Sequence, residues 1–118
     1  MTPLMAAYVS CSKRLTISFD DFCEALKDWE VIPVKVRGEI AGAILCNGPE
    51  LHVCVIEKYF KKWCTPSLYR RAFTERKKKY GFLITSMTRG NLVGRAFVER
   101  LGFRLVKILK DIEIYEVR

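Results

Sequence analysis

Two side chains that can move protons lie two residues apart near the middle of the chain. Glu50 and His52 stand at the start of the apolar, β-branched segment 51–56, whose composition predicts a central strand. Side chains alternate along a strand, so we expect both on the same face. An imidazole or a carboxylate at such a place can act as a general base. The alternative interpretation is a structural, hydrogen-bonded histidine beside a solvent-exposed glutamate.

A second chemical feature is the strongly basic segment formed by residues 58–79. It holds nine of the 21 Lys and Arg residues but only one of the 13 acidic residues, so it carries the whole net charge of +8. Such a segment concentrates positive potential on whatever it faces. The expected partners are a phosphorylated small molecule, a nucleic acid or an acidic protein surface.

The cysteines follow no pattern typical of a disulfide framework or a zinc site. They number five, none is in a C-x-x-C pair, and His52 is the single histidine. Both kinds of site therefore lack their ligands at the required spacing. We expect the cysteines to be buried as small apolar side chains, with Cys64 as the candidate for a reactive thiol.

Length and composition are typical of one globular domain. The chain has 118 residues, and half of them are hydrophobic. No stretch approaches the roughly 18 apolar residues that a membrane span needs. The first ten residues lack the basic lead of a secretory signal. We therefore expect a single soluble domain, residues 1–118, in the cytoplasm.

The elements that would position the chemical groups begin with a helix and a hairpin. Apolar residues at three-to-four spacing predict a short amphipathic helix over 20–29, capped by an aspartate. The small residues 41–43 indicate a place where another group approaches closely. Three strands are predicted at 31–36, 39–45 and 51–56, with turns at Arg37-Gly38 and Asn47-Gly48.

The second half of the chain alternates helix and strand. Thr65 can cap a helix whose first residue is Pro66, and Gly81 ends it. Asn91 opens a further helix that Gly102 ends. The strands of this half are predicted at 82–87, 104–110 and 112–117. This order of elements is typical of an α/β chain with a mixed sheet.

The C-terminal two-thirds of the chain resembles the GNAT superfamily of acetyl-CoA-dependent acyltransferases. The segment Asn91-Leu-Val-Gly-Arg-Ala-Phe-Val-Glu-Arg-Leu-Gly-Phe103 matches the family's helix that begins with Asn and ends in Glu-Lys-Leu-Gly-Phe. Four residues fit the register of the family's Val-x-Pro-x-Tyr-Arg-Gly-x-Gly-x-Gly segment: Val55, Tyr59, Lys62 and Leu68. The match covers residues 31–118. It implies an α/β (α+β) fold with a mixed, mostly antiparallel central sheet flanked by helices.

The resemblance also implies an activity and a set of site residues. The activity is transfer of an acetyl group from acetyl-CoA, the co-substrate, to an amine acceptor of unknown identity. The diphosphate of coenzyme A would lie on backbone NH groups at the start of the helix, where the helix dipole favours anions. The implied cofactor-binding residues are Val55, Lys61, Lys62, Cys64, Thr65, Ser67 and Asn91, and Glu50 and His52 are the catalytic candidates. A plain helix cap is an equally good interpretation of Asn91.

The chain departs from the family pattern at the phosphate-binding loop and at the general acid. Phe60 replaces the loop's Arg or Gln, and Trp63 and Thr65 replace glycines, where a Trp side chain would crowd the anion. Val98 stands where the family often has the tyrosine that protonates the departing thiolate, and Tyr115 is an alternative acid. A short chain with these replacements also looks like the small GNAT-like proteins of tailed bacteriophages.

A function of a different class fits the same residues. The chain could be a GNAT-like scaffold without catalysis, an accessory protein of a phage or mobile element that binds nucleic acid or a protein partner. Single-stranded nucleic acid sites combine basic side chains with aromatic ones. Four aromatic residues interleave with the basic segment: Tyr59, Phe60, Trp63 and Tyr69.

Overall fold

The computed structural model describes residues 1–11 and 16–118, which form one sheet with helices on both faces. The helices are α1 (Pro3–Cys11), α2 (Phe19–Ala25), α3 (Pro66–Tyr69), α4 (Glu75–Tyr80) and α5 (Leu92–Arg100). The strands are β1 (Glu30–Val36), β2 (Glu39–Asn47), β3 (Glu50–Val55), β4 (Leu83–Thr88), β5 (Arg104–Leu109) and β6 (Ile112–Val117). A 3-10 turn, Glu57–Tyr59, follows β3, and a π-helical turn, Arg70–Thr74, joins α3 to α4. Within the described residues, none of the helices has the length and apolar character to cross a bilayer.

The six strands lie in the order β1-β2-β3-β4-β6-β5. Neighbouring strands are antiparallel except β3 and β4, which are parallel. The mixed, mostly antiparallel sheet expected from the resemblance is therefore confirmed.

The parallel pair β3 and β4 stays together only at one end. Glu50 of β3 is in register with Ile84 of β4, and the Ile84 NH donates to the carbonyl oxygen of Pro49 at 2.9 Å. Beyond this point no further register pair joins the two strands, although each continues for several residues. The sheet is thus two antiparallel halves that diverge from a shared base.

The two faces of the sheet are covered by different helices. On one face α1 and α2 pack over the first half of the sheet, where Ala7 and Phe22 contact Ala43, Leu45 and Cys54. On the other face lie the helices that follow β3. Their core side chains, Phe73 and Val98, pack against a buried layer from the strands that includes Leu51, Leu83 and Tyr115.

Arg76 of α4 fastens the helices after β3 to the end of the β2–β3 hairpin. Its guanidinium donates to the carbonyl oxygen of Gly48 at 2.7 Å and also to the carboxylate of Glu30. Arg71 in the π-helical turn lies 3.6 Å from the same carboxylate. These contacts fix the orientation of the helical segment and of the loop that leads into it.

Most predicted strands and turns are confirmed. Arg37 and Gly38 both have positive φ, 53° and 81°, as a tight two-residue hairpin turn requires. The close approach predicted at residues 41–43 occurs at Gly42, where a Cβ atom would collide with the carbonyl oxygen of Cys54. The turn after β2 is Gly48-Pro49, one residue later than predicted, because Asn47 still pairs with Glu50.

The structure of the N-terminal part differs from the prediction in two ways. Helix α1 was not predicted, because its apolar residues are spread around the helix and do not form one apolar face. The helix predicted over 20–29 ends at Ala25, and its cap is Ser18, whose Oγ accepts a hydrogen bond from the Asp21 NH at 3.1 Å. The aspartates occupy the first turn instead, where their charge suits the helix dipole.

Strand β5 forms an open edge of the sheet. All six of its residues are exposed, including apolar ones such as Leu105, Val106 and Leu109. A bulge interrupts its pairing with β6 between Leu105 and Lys107.

Candidate active site between the diverging strands

A cavity of about 240 Å³ lies where β3 and β4 diverge. Its lining includes residues 51–54 of β3 and 85–88 of β4. Because consecutive side chains in a strand point to opposite faces, these residues belong to both faces of the sheet. The cavity therefore passes through the sheet, from Phe97 of α5 on one side to Cys11 of α1 on the other.

The two catalytic candidates are hydrogen-bonded to each other. His52 Nε2 and Glu50 Oε2 are 2.7 Å apart, and both side chains lie on the α1 and α2 face, as the alternation predicted. The His52 side chain is one quarter exposed and also lines the cavity. The Glu50 side chain is more open to solvent, at 43% exposed. The pair is therefore a carboxylate-oriented imidazole on the α1 and α2 side of the gap between the strands.

Trp29 adds a second contact to this imidazole. The ring centroids of Trp29 and His52 are 5.8 Å apart, with the planes tilted by 33°. Trp29 follows α2 just before β1, so its position depends on the turn that ends that helix. Trp29 falls within the helix predicted over 20–29, and nothing in its local spacing relates it to His52.

Asn91 combines a helix cap with a place on the cavity wall. Its Oδ1 accepts a hydrogen bond from the Gly94 NH at 3.1 Å, which confirms the cap, and the residue also lines the cavity. A Cβ atom at position 94 would lie 2.7 Å from Asn91 Nδ2, so glycine there leaves room for the amide. The Asn91 side chain is thus held in one orientation beside the gap.

The predicted phosphate-binding loop is exposed and does not line the cavity. Thr65 caps α3 through its Oγ1, which accepts from the Leu68 NH at 3.2 Å, as predicted. Among the described residues, none accepts a hydrogen bond from the backbone NH groups of Cys64, Thr65 or Ser67. Lys61 and Lys62 are exposed beside them, whereas Val55 is buried in the core.

Trp63 turns away from this loop into the protein. Its side chain is only 4% exposed, and its ring centroid lies 5.5 Å from that of Phe97. The tryptophan that replaces a loop glycine therefore does not stand over the free amides. It instead joins the start of α3 to α5, on the side of the cavity that Phe97 lines.

The two positions at which the sequence analysis looked for the proton donor do not supply one to the cavity. Val98 lines it at the position where the resemblance placed a tyrosine, and it has no proton to give. Tyr115 is buried on β6 and donates to Glu113 Oε1 at 3.3 Å. Burial and the nearby Glu113 carboxylate raise the pKa of Tyr115. Neither of these two positions therefore supplies a general acid, and the hydroxyl groups on the described cavity wall belong to Thr85, Ser86 and Thr88.

The cysteines are not all buried, contrary to the prediction. Cys46 and Cys54 are buried, Cys11 and Cys23 are partly exposed, and Cys64 is exposed. Partial desolvation raises the pKa of Cys64, which lowers its thiolate fraction near neutral pH and disfavours a reactive thiol there.

The aromatic residues of the basic segment divide into two groups. Tyr59 and Trp63 are buried, and the Tyr59 hydroxyl donates to Glu39 Oε2 at 2.7 Å. Phe60 and Tyr69 are exposed. Only the second pair could stack on the bases of a single-stranded nucleic acid.

Several residues of the site were not singled out in the sequence. Phe97 and the β4 residues Thr85 and Ser86 line the cavity, as does Cys11. The two adjacent hydroxyl residues in the middle of an otherwise apolar strand were the available signal for β4. Nothing local could have related Cys11 to this place, because α1 itself was not predicted.

Comparison with known proteins relates the chain to others by structure alone. No protein family model matches it, and no curated protein matches its sequence. The ribosomal-protein-alanine N-acetyltransferase of Brucella melitensis superposes with a TM-score of 0.67 at 13% identity, over 97% of this chain and 91% of that one. The ribosomal-protein-S18-alanine N-acetyltransferase of Escherichia coli superposes with a TM-score of 0.67 at 17% identity, over 97% of this chain and 86% of that one. A protein of Pyrococcus horikoshii superposes with a TM-score of 0.62 at 16% identity, over 98% of this chain and 85% of that one. The chain therefore has the GNAT fold of the two N-acetyltransferases.

Proposed function

We propose that the protein is an N-acyltransferase that moves an acetyl group from acetyl-CoA to an amine. The observation that carries the proposal is the cavity through the sheet, in a fold shared with N-acetyltransferases. A passage between diverging parallel strands lets a thioester enter from one face and an amine from the other. Reacting groups held this way meet in a fixed orientation, which replaces an encounter in solution.

Coenzyme A enters from the face covered by α3, α4 and α5. The free backbone NH groups of Cys64, Thr65 and Ser67 fit a diphosphate at the start of the helical segment, and Lys61 and Lys62 add charge beside them. The inward orientation of Trp63 keeps this place open. Asn91 and the edge of β3 near Val55 then hold the amide-containing arm, because β3 beyond Glu50 has no hydrogen-bonding strand on the side of the gap.

The amine reaches the thioester from the face covered by α1 and α2. Glu50 accepts a hydrogen bond from one ring nitrogen of His52 and thereby leaves the other ring nitrogen as the proton acceptor. The amine nitrogen attacks the thioester carbonyl carbon as His52 removes its proton. The carbon–sulfur bond breaks, and the departing thiolate takes a proton from water, since Val98 offers none.

Binding and turnover test the proposal separately. Calorimetry with acetyl-CoA tests the site, and release of coenzyme A over a panel of peptide α-amines, lysine side chains and small aliphatic amines tests the reaction. The released coenzyme A is best separated by chromatography, because the exposed Cys64 would react with a thiol reagent. Absence of binding together with salt-dependent binding of single-stranded DNA would favour the scaffold instead.

The acceptor, the cytoplasmic location and a phage origin stay predictions from the sequence. The two bacterial enzymes of the same fold act on ribosomal-protein alanine by their names. A peptide with an N-terminal alanine is accordingly the first acceptor to try in the panel.

A further inference from the structure

Two cysteines from distant parts of the chain meet at the cavity. Cys11 is the last residue of α1 and Cys54 lies in β3, 43 residues later. The Cys11 thiol donates to the Cys54 sulfur, with the two Sγ atoms 3.6 Å apart. Both residues line the cavity on the side covered by α1.

The two sulfurs are in van der Waals contact, so a small movement could bring them to bonding distance. A disulfide needs about 2.05 Å between sulfurs, so roughly 1.5 Å must be closed. Cys54 is held by pairing with Ala43 in the middle of the sheet, whereas Cys11 ends its helix. A change of the Cys11 side-chain rotamer or a small shift of the helix end can supply the movement.

We propose that Cys11 and Cys54 are a redox modification site that forms a reversible intramolecular disulfide with a peroxide as oxidant. The partly exposed Cys11 reacts first: its thiolate attacks the peroxide, the oxygen–oxygen bond breaks, and Cys11 becomes a sulfenic acid as water leaves. The Cys54 sulfur then attacks the Cys11 sulfur and displaces the sulfenic oxygen as hydroxide. The hydroxide takes the Cys54 proton and becomes a second water. Two electrons have passed from the two thiols to the peroxide, and an external dithiol returns them.

The position of the pair gives the disulfide a consequence for the cavity. A bond between the end of α1 and β3 fixes that helix at the mouth through which the amine would approach. We expect oxidation to lower turnover more than it lowers affinity for acetyl-CoA, which enters from the opposite face. This second effect rests on the proposed function, whereas the disulfide itself does not.

Mass spectrometry of the full chain tests the bond without any assay of activity. After treatment with hydrogen peroxide the chain should lose about two mass units, one hydrogen from each thiol. A digest with trypsin and a protease that cuts after Glu50, which separates Cys54 from Cys46, should contain the linked Cys11 and Cys54 peptides. Dithiothreitol should reverse both changes. A gain of oxygen without a linked peptide, a link between other cysteines, or a dimer joined through Cys64 would each overturn the proposal.

Variants separate this pair from the other thiols. Cys11→Ser should abolish the loss of mass, while the matched control Cys23→Ser, which removes another partly exposed thiol, should leave it unchanged. Because Cys54 is buried, Cys54→Ala serves in place of a polar variant. The oxidised native chain should also melt roughly 5 to 15 °C above the reduced one, since the bond closes a long loop in the unfolded chain. If the digest contains the linked peptides but the oxidised and reduced chains melt at the same temperature, the proposed fastening of α1 is wrong.

Discussion

Trp63 lies against Phe97 with the ring centroids 5.5 Å apart and the planes at 47°. This contact joins the loop before α3 to helix α5, which lies on the other side of the proposed entrance for coenzyme A. A residue that the sequence suggested would block the anion is therefore part of the wall that keeps the entrance in shape. We therefore expect removal of the Trp63 ring to lower the stability of the fold first.

Replacing Trp63 with Ala should lower the free energy of unfolding by about 3 to 5 kcal/mol, because it removes a large buried ring. Phe60→Ala is the matched control on the same loop, where the exposed ring should cost less than about 1 kcal/mol. Urea denaturation measures both. Equal losses in the two variants would mean that Trp63 does not pack as described.

The charges beside the free loop amides should control affinity for coenzyme A. Lys61→Glu with Lys62→Glu should weaken acetyl-CoA binding by well over tenfold, since two reversals beside a diphosphate exceed about 1.4 kcal/mol. Arg104→Glu with Lys107→Glu on β5 makes the same change of net charge at a distant exposed edge. Calorimetry should show a much smaller effect for that pair, and an equal effect would exclude a local site.

The imidazole at the gap should matter for turnover and not for affinity. His52→Gln should lower turnover by about 10²-fold with little change in the dissociation constant of acetyl-CoA. Glu50→Gln should cost less, because Glu50 acts by orienting the ring. Glu24→Gln on the exposed surface of α2 is the control that should leave turnover unchanged. Wild-type turnover in His52→Gln would remove this residue from the mechanism.

Gly42 should tolerate no side chain. In Gly42→Ala the new methyl group meets the backbone of Cys54, so β2 and β3 must separate and the protein should lose roughly 3 kcal/mol or more. Gly38→Ala has open space around the new methyl group and should lose only about 1 kcal/mol from its positive φ. Thermal unfolding of the two variants distinguishes a clash from backbone strain.

Alkaline pH should destabilise the fold through Cys46. Burial raises the pKa of this thiol from 9.0 to about 11. Between these two values the unfolded chain releases the proton and the folded chain keeps it, so stability falls as pH rises, by about 2 to 3 kcal/mol. Denaturation of Cys46→Ala should show an alkaline loss smaller by that amount. Cys23→Ala should keep the full loss, and an identical loss in all three proteins would contradict the assignment.

The sequence was sufficient for elements with local signals and insufficient for contacts between distant segments. Thr65 and Asn91 were predicted as caps because their side chains act on the next turn of the same helix, and Arg37-Gly38 because a hairpin turn demands those backbone angles. The direction of the Trp63 side chain depends on Phe97, far along the chain. The approach of Cys11 to Cys54 depends likewise on where α1 packs. The divergence of β3 and β4 leaves no mark on the composition of either strand.

The open edge of β5 bears on how molecules of this protein meet at high concentration. A strand added from a neighbouring molecule needs an unbroken row of backbone donors and acceptors. The bulge beside Val106 shifts that row by one residue in its middle, and Lys107 places a charge next to the shift. Leu105 and Leu109 can therefore face water without the edge becoming a template for growth of a fibre.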